Sequence, residues 1–138
     1  MAYGPYNLFL DDLRDPKLLY PGEKWILARS FQEFKNIIVY NGVPAAISFD
    51  NDLGEDEAGN LLPDGLHAIN WLYSFYNQGL AVRKIFIHSD NLQAAQQIES
   101  VANSWHKVLV LDGKMEPGDA LVRRHSALHK KWQIPPSV

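Results

Sequence analysis

The sequence predicts an α/β fold: a doubly wound, mainly parallel sheet of five strands with helices on both faces. Short apolar runs, of the length of buried strands, alternate with longer segments whose apolar residues recur at helical spacing. Polar side chains directly follow several of these runs. That arrangement is typical of an open parallel sheet, in which ligands bind beyond the carboxyl ends of the strands.

The first part of the chain predicts two strands joined by an irregular segment. The first strand, Asn7–Leu10, is followed directly by Asp11-Asp12. Two prolines and a glycine within residues 14–23 disfavour a full helix there, so the first helix of the fold is expected to be reduced. A second strand is predicted at Lys24–Ala28, immediately before Arg29.

A capping box marks the start of the first full helix, because Ser30 is followed three residues later by Glu33. Asn41-Gly42 is a typical end for that helix. The third strand, Ala45–Phe49, is apolar and short enough to be buried, and it ends in two acids, Asp50 and Asp52.

The second half of the chain predicts a further strand between two helices. After an acidic loop at residues 54–63, Asp64-Gly65 opens a second helix that ends near residues 77–79. The fourth strand, Lys84–Ile87, is followed by the polar residues His88-Ser89-Asp90-Asn91. A third helix then carries apolar residues at helical spacing from Ala94 to Trp105.

The last two elements are predicted from one apolar run and one amphipathic segment. Val108–Leu111 is expected to be the fifth strand, ending at Asp112-Gly113. A final helix is expected to begin at Gly118-Asp119, with Leu121, His125, Leu128 and Trp132 along one side, and to stop at Pro135-Pro136.

Size and composition favour one domain, residues 1–138, with a sizeable core, since 46% of the residues are hydrophobic. No apolar run is long enough to span a membrane, and the first residues do not form a secretory signal. The absence of cysteine excludes disulfides and thiolate zinc sites and fits a cytoplasmic protein. A net charge of −3 does not by itself suggest broad nucleic-acid binding.

The polar residues that follow the predicted strands would share one edge of the sheet. They are Asp11, Asp12, Arg29, Asp50, Asp52, His88, Ser89 and Asp112. Several carboxylates at one edge repel one another, and they cannot all remain ionised in a dry site without a cation. A hard divalent ion with oxygen ligands, Mg²⁺ (or Mn²⁺), is therefore expected there.

Basic and hydroxyl groups near the same edge indicate a phosphate ligand. Arg14 and Arg29 would grip phosphate oxygens with their forked guanidinium groups. His88 is a candidate general acid or base, because histidine can give or take a proton near neutral pH. Ser89 could donate a hydrogen bond to a phosphoryl oxygen.

Several motifs resemble those of a known family. The plan of Asp11-Asp12, Asp50, Pro63-Asp64-Gly65 and Ser89 resembles response-regulator receiver domains. The complete motif sequences are similar to those of the cyclic-phosphate-processing receiver-like family, a divergent branch of the receiver domains. The segments that carry this second resemblance are Leu-Phe-Leu-Asp-Asp-Leu-Arg-Asp-Pro (8–16), Ala-Arg-Ser (28–30), Ile-Ser-Phe-Asp-Asn-Asp-Leu-Gly (47–54), Asp-Gly (64–65) and His-Ser-Asp-Asn (88–91).

The resemblance implies a flavodoxin-like receiver fold, a metal held by Asp11, Asp12 and Asp50, and a phosphoryl-accepting role for Asp50. It also implies a cyclic phosphate as ligand, in RNA repair or in a phage–host setting. Ordinary receivers carry a lysine after strand five, whereas Leu111-Asp112-Gly113 stands at that predicted place here. This departure makes ordinary switch signalling less expected.

Two functions follow from these observations. The first is a metal-dependent phosphohydrolase or phosphodiesterase acting on a cyclic or nucleotide-derived phosphate, free or at an RNA end. Its catalytic residues would be Asp50, His88 and Asp52, and its phosphate-binding residues Arg14, Arg29, Ser89 and Asn91. The second is a receiver-like module that accepts phosphate on Asp50, or binds a ligand, without turnover; a nucleotide-binding inhibitor is a third possibility.

Purely structural roles remain open for the same residues. Asp11-Asp12 is compatible with a turn and a helix cap, and Ser89 and Asn91 with caps of the following helix. Asp52 is compatible with a turn residue, and His88 with a core histidine bonded to the backbone.

Overall fold

The computed structural model describes residues 6–76, 82–119 and 121–124. Five parallel strands form one sheet in the order β2-β1-β3-β4-β5. The strands are β1 (Asn7–Leu10), β2 (Ile26–Ala28), β3 (Ala46–Phe49), β4 (Lys84–Ile87) and β5 (Leu121–Arg124). The α-helices are α1 (Phe31–Asn41), α2 (Gly65–Tyr76) and α3 (Leu92–Leu111). The predicted five-stranded parallel sheet and receiver-like α/β fold are confirmed.

The register of the sheet brings four strand ends to one level. Leu10 pairs with Ala28 on one side and with Phe49 on the other, and Phe49 pairs with Ile87. The residue that follows each of these strands therefore lies at the same edge of the sheet. This register, which no single segment specifies, is what places the predicted polar residues together.

One face of the sheet carries the main core. Alternate strand residues such as Leu8, Ile47 and Ile85 point to this face, and all three α-helices pack against it. At the N-cap of α1 the Ser30 hydroxyl accepts from the Glu33 N–H at 3.1 Å, as the capping box predicts, whereas the Glu33 carboxylate accepts from the Arg29 N–H at 2.7 Å.

The opposite face carries a smaller aromatic cluster. Phe9 packs there with Leu19 and Tyr20, and the partly buried Trp25 and Phe86 complete the cluster. Between β1 and β2 the chain forms only a short 3-10 helix, Pro16–Leu18, so the predicted reduction of the first helix is confirmed. The rest of the final predicted helix, from residue 125 onward, lies outside the described residues.

The prediction of the fifth strand at Val108–Leu111 was wrong. Val108–Leu111 continues α3, and the fifth strand lies at Leu121–Arg124, where the start of the final helix was expected. No helix breaker separates Trp105 from Val108, and Trp105 and Leu109 are both buried at the four-residue spacing of one helical face. The helix ends only where Gly113 adopts a positive φ of 73°.

This correction also changes two statements about the site. Asp112 lies at the C-terminal end of α3, so it does not follow a strand and does not belong to the carboxyl edge of the sheet. Because Leu111-Asp112-Gly113 does not follow a strand, it is not the place of the receiver lysine, and the residues that follow β5 lie outside the described part of the chain. None of the helices in the described ranges is both long and apolar enough to cross a membrane.

Candidate functional site

Three carboxylates meet at the carboxyl edge of the sheet. Asp11 and Asp12 follow β1, and Asp50 follows β3, its neighbour in the sheet. One ligand oxygen of each lies within 4.8 Å of those of the other two. Asp11 and Asp50 are buried, and Asp12 is partly exposed, so the cluster opens to solvent on the Asp12 side. This is the arrangement of acids typical of the metal site in receiver domains.

The Asp11 carboxylate is held by donors on both oxygens. Its Oδ1 accepts from the backbone N–H groups of Leu13 at 2.8 Å and Arg14 at 2.9 Å. Its Oδ2 lies 3.0 Å from His88 Nε2. Burial alone would raise the pKa of Asp11, but the hydrogen bond and charge of His88, together with the two N–H donors, outweigh it and lower the pKa below 3.8. Asp11 is therefore a fixed anion.

The surroundings of Asp50 and Asp12 have the opposite effect and raise the pKa of each carboxyl group. Burial, followed by repulsion from Asp11, raises the pKa of Asp50 from 3.8 to about 8. Burial and the Asp11 charge also raise the pKa of Asp12. These carboxylates are crowded, and their surroundings make ionisation of Asp50 and Asp12 unfavourable. Such a group suits a hard divalent cation, which would neutralise the carboxylates together. The residues present therefore fit the cation that the sequence predicts.

The start of α2 positions Asp50 through Gly65 and through Asn51, whose role sequence reasoning missed. The buried Asn51 side chain accepts from the Leu66 N–H at 3.0 Å, and its backbone carbonyl accepts from the Gly65 N–H at 2.8 Å. A Cβ on Gly65 would lie only 2.1 Å from the Asp50 carbonyl oxygen. The Asp-Gly pair at the helix start thus reflects a close backbone contact that only glycine permits.

A buried hydrogen-bond chain extends from Asp11 across the sheet. His88 is fully buried; its Nδ1 lies 2.7 Å from the Ser48 hydroxyl, which lies 3.0 Å from the Tyr20 hydroxyl. The His88 ring also stacks on Phe9, with centroids 4.5 Å apart. Burial raises the pKa of Tyr20 to about 12, so Tyr20 remains neutral. With both ring nitrogens engaged, His88 is arranged to orient Asp11.

Sequence reasoning missed Ser48 and Tyr20, although the polar Ser48 inside an apolar strand was a usable signal. A hydroxyl in the middle of a buried strand requires a hydrogen-bond partner. The partner lies forty residues away along the chain, so the sequence alone does not identify it.

The two predicted arginines have different surroundings. Arg14 is partly exposed at the mouth of the site, where it contacts Asp90 and lies 3.9 Å from Asp11 Oδ2. Arg29 donates from Nη1 to the carbonyl oxygens of Arg14 at 2.7 Å and Asp11 at 3.2 Å. Arg29 therefore holds the loop that carries the first two acids.

The remaining predicted residues divide between the buried site and its surroundings. Ser89 is buried at the end of β4, and its hydroxyl accepts from the Asn91 N–H at 3.1 Å. Asn91 is the N-cap of α3, where it accepts from the Ala94 N–H at 3.0 Å. Asp52 is exposed, contacts the Asn51 amide at 3.1 Å, and is not a member of the acidic cluster.

Comparison with solved structures supports the fold. A crystal structure of a response regulator receiver protein from Pseudomonas putida aligns with a TM-score of 0.52 and 18% identity, covering 73% of this chain and 82% of that one. A fusion that contains the trimeric coiled coil of yeast Spc42 aligns with 14% identity over 80% of each chain, but its TM-score of 0.49 is too low to support an inference. No curated protein sequence gave a significant match.

Comparison with protein families gives a more specific result. Residues 6–104 match the family described as the cyclic-phosphate processing receiver domain. That range is most of the chain, and it includes the acidic cluster, both arginines and the His88-Ser89 pair. The three acids lie where the receiver fold holds its metal. The chain therefore belongs to the cyclic-phosphate processing receiver domain family.

Proposed function

We propose that this protein is a metal-dependent phosphohydrolase or phosphodiesterase that opens a cyclic phosphate, on a small nucleotide-derived molecule or at an RNA end. The observation that carries the proposal is the cluster of Asp11, Asp12 and Asp50, in which burial and mutual repulsion favour binding of a cation. The match to a cyclic-phosphate processing family supports the choice of ligand.

Asp11, Asp12 and Asp50 would hold the ion, Mg²⁺ or Mn²⁺. When bound, such an ion neutralises charge on a phosphoryl oxygen and makes the phosphorus more electrophilic. The backbone donors to Asp11, and the α2 hydrogen bonds to Asn51 directly after Asp50, fix the two acids before the ligand arrives. This preorganisation reduces the rearrangement that ligand binding requires.

Arg14 and Ser89 are the residues that we assign to the phosphate. The Arg14 guanidinium lies at the mouth of the cluster and can present two N–H groups to two phosphate oxygens. The Ser89 hydroxyl accepts from Asn91, so its own proton is available for a phosphoryl oxygen. Arg29 and Asn91 act indirectly in this proposal, by holding the loop and the helix that carry these groups.

In the reaction, a water oxygen attacks phosphorus, one ring P–O bond breaks, and the released alkoxide takes up a proton to give a phosphate monoester. We assign Asp50 as the group that accepts the water proton and returns a proton to the alkoxide, because its carboxylate lies in the acidic cluster where the phosphate would bind. His88 acts indirectly by orienting Asp11, and Asp52 acts indirectly through its contact with Asn51. Neither His88 nor Asp52 belongs to the acidic cluster.

Turnover of a panel of cyclic phosphates, including nucleoside 2′,3′-cyclic phosphates, with and without Mg²⁺ tests the proposal. We expect Mg²⁺-dependent ring opening that falls at least ~100-fold in Asp50→Asn and Asp12→Asn. The exposed loop variant Asp56→Asn is the matched control and should retain activity. Absence of both turnover and binding across the panel contradicts the enzyme proposal.

A second candidate function is phosphate acceptance on Asp50 without turnover. It is favoured by the position of Asp50, which directly follows the central strand β3 beside two further acids in a receiver fold. Intact mass after incubation with acetyl phosphate and Mg²⁺ separates the two. A stable phosphoryl adduct in the wild type that is missing from Asp50→Asn supports this function.

A further inference from the structure

A cavity of about 310 Å³ lies between the start of α1 and the loop that joins β3 to α2. Its walls include Phe31, Gln32 and Lys35 from the helix, and Leu53, Leu62 and Pro63 from the loop. The proposed reaction uses none of these residues. The volume is at the lower end of the range found for small-molecule sites, and it is large enough for a nucleobase with part of its sugar.

The cavity adjoins the acidic cluster through Gly54. A Cβ on Gly54 would lie 3.4 Å from Asp12 Oδ2 on one side and 3.8 Å from Leu62 Cδ1 on the other. Asp12 is the partly exposed member of the cluster, so this is the side on which the cluster opens. A ligand with its phosphate at the acids can therefore extend past Gly54 into the cavity.

Several apolar side chains on the walls of the cavity are partly exposed to solvent. Leu62 is 37% exposed, and the Phe31 ring is only partly buried. The Lys35 ammonium lies 4.5 Å from the centre of that ring, so a base that stacks on this face of Phe31 would displace the ammonium. At the rim, the exposed Gln32 amide carries both a donor and an acceptor.

We propose that this cavity binds the nucleoside part of the phosphorylated ligand. Phe31 contacts the face of the base, Leu53, Leu62 and Pro63 enclose its edge, and Gln32 bonds to its polar groups. A flat ring with a hydrogen-bonding edge, attached to a phosphate a short distance away, is the chemistry that these surfaces fit together. The inference rests on the proposed function only for the position of the phosphate.

A pair of ligands that differ only in the base tests this assignment. Calorimetry with Mg²⁺ compares adenosine 2′,3′-cyclic phosphate with a base-free ribose 2,3-cyclic phosphate. We expect the nucleoside ligand to bind on the order of tenfold more tightly. A terminal 2′,3′-cyclic phosphate on a short oligonucleotide, tested in parallel, distinguishes an RNA end from a mononucleotide as the source of the same chemistry.

Two tryptophan substitutions provide the blocked variant and its control. In Leu62→Trp the larger side chain fills the cavity, so the preference for the nucleoside ligand should fall to about onefold while the base-free affinity stays unchanged. In Leu61→Trp the substitution is on the adjacent residue, which is 82% exposed and does not line the cavity, so the preference should remain. Equal binding of the two ligands by the wild type overturns the inference.

Adenosine, which has no phosphate, separates the failure of this inference from the failure of the proposed function. Millimolar adenosine should shift the methyl resonances of Leu53 and Leu62 but leave those of Leu61 unchanged. Such shifts without binding of the base-free cyclic phosphate support the cavity assignment and contradict the phosphate site. Binding of the base-free ligand without a preference for the nucleoside, and without methyl shifts, contradicts only the cavity assignment.

Discussion

The Nε2 atom of His88 lies 3.0 Å from Oδ2 of Asp11, although 77 residues separate the two along the chain. Both side chains are buried, and the second ring nitrogen of His88 bonds to Ser48. Ser48 therefore holds the His88 ring through one nitrogen, and His88 holds the Asp11 carboxylate through the other. Outer partners of this kind set the orientation of a metal ligand.

Substitution of His88 by phenylalanine should weaken Mg²⁺ binding. The ring keeps its volume and its stacking on Phe9, but Asp11 Oδ2 loses its partner and Ser48 loses an acceptor or donor. We expect metal affinity to fall about 10- to 100-fold, measured by calorimetry on the metal-free protein. His67→Phe is the control, since His67 is exposed and contacts Asp64; it should leave the affinity unchanged. An unchanged affinity in His88→Phe would remove the positioning role.

The stability of the metal-free protein should decrease as the pH rises from about 4 to about 8. The folded state raises the pKa of Asp50 from 3.8 to about 8, so it binds more protons than the unfolded state across this range. The stabilising effect of the protonated group is complete below pH 3.8 and is lost as the pH approaches 8. Urea denaturation in the presence of a chelator measures the free energy of unfolding at each pH.

The variant Asp50→Asn should lose most of this pH dependence, because it has no group that ionises at that position. Asp52→Asn, two residues away and exposed, should retain the wild-type dependence. Saturating Mg²⁺ should stabilise the wild type more at pH 8 than at pH 5, since the ion competes with the proton for Asp50. An equal effect of Mg²⁺ at both pH values would mean that Asp50 is not a ligand.

Substitution of Gly65 by alanine should destabilise the fold and disturb the acidic cluster. The added methyl group would lie 2.1 Å from the Asp50 carbonyl oxygen and 3.0 Å from Asn51 Cα, both in the backbone. We expect a loss of about 3 kcal/mol in the free energy of unfolding, with weaker Mg²⁺ binding. Gly59→Ala is the comparison: its φ is +85° and no atom lies within 4 Å, so only backbone strain, about 1 kcal/mol, applies. Equal losses in the two variants would contradict the packing argument.

Substitution of Arg14 by lysine should weaken phosphate binding while leaving the metal site intact. Lysine keeps the charge but cannot present two parallel N–H groups to two phosphate oxygens. Inorganic phosphate, titrated into the Mg²⁺-loaded protein, should bind roughly tenfold more weakly, with Mg²⁺ affinity unchanged. Arg83→Lys, in a half-exposed ion pair with Asp119, is the control and should bind phosphate like the wild type.

The sequence predicted the acidic cluster because the pattern that indicates it lies within short segments of the chain. Each of β1 and β3 is a short apolar run that ends directly in an acid, and a parallel sheet brings such ends to one edge. The same reasoning failed for Val108–Leu111. Four apolar residues in a row fit a strand or a buried helix equally well, and only the packing of Trp105 and Leu109 on the same core decided for the helix.

The sequence by itself determined the fold class, the family and the identity of the three clustered acids, since these depend on the pattern and order of short segments. Only the tertiary structure decided that His88 faces Asp11 and Ser48, that Arg29 holds a loop, and that Asp52 lies outside the cluster. Hydrogen-bond partners and burial depend on strand register and helix packing between residues distant along the chain. No local pattern encodes those distances.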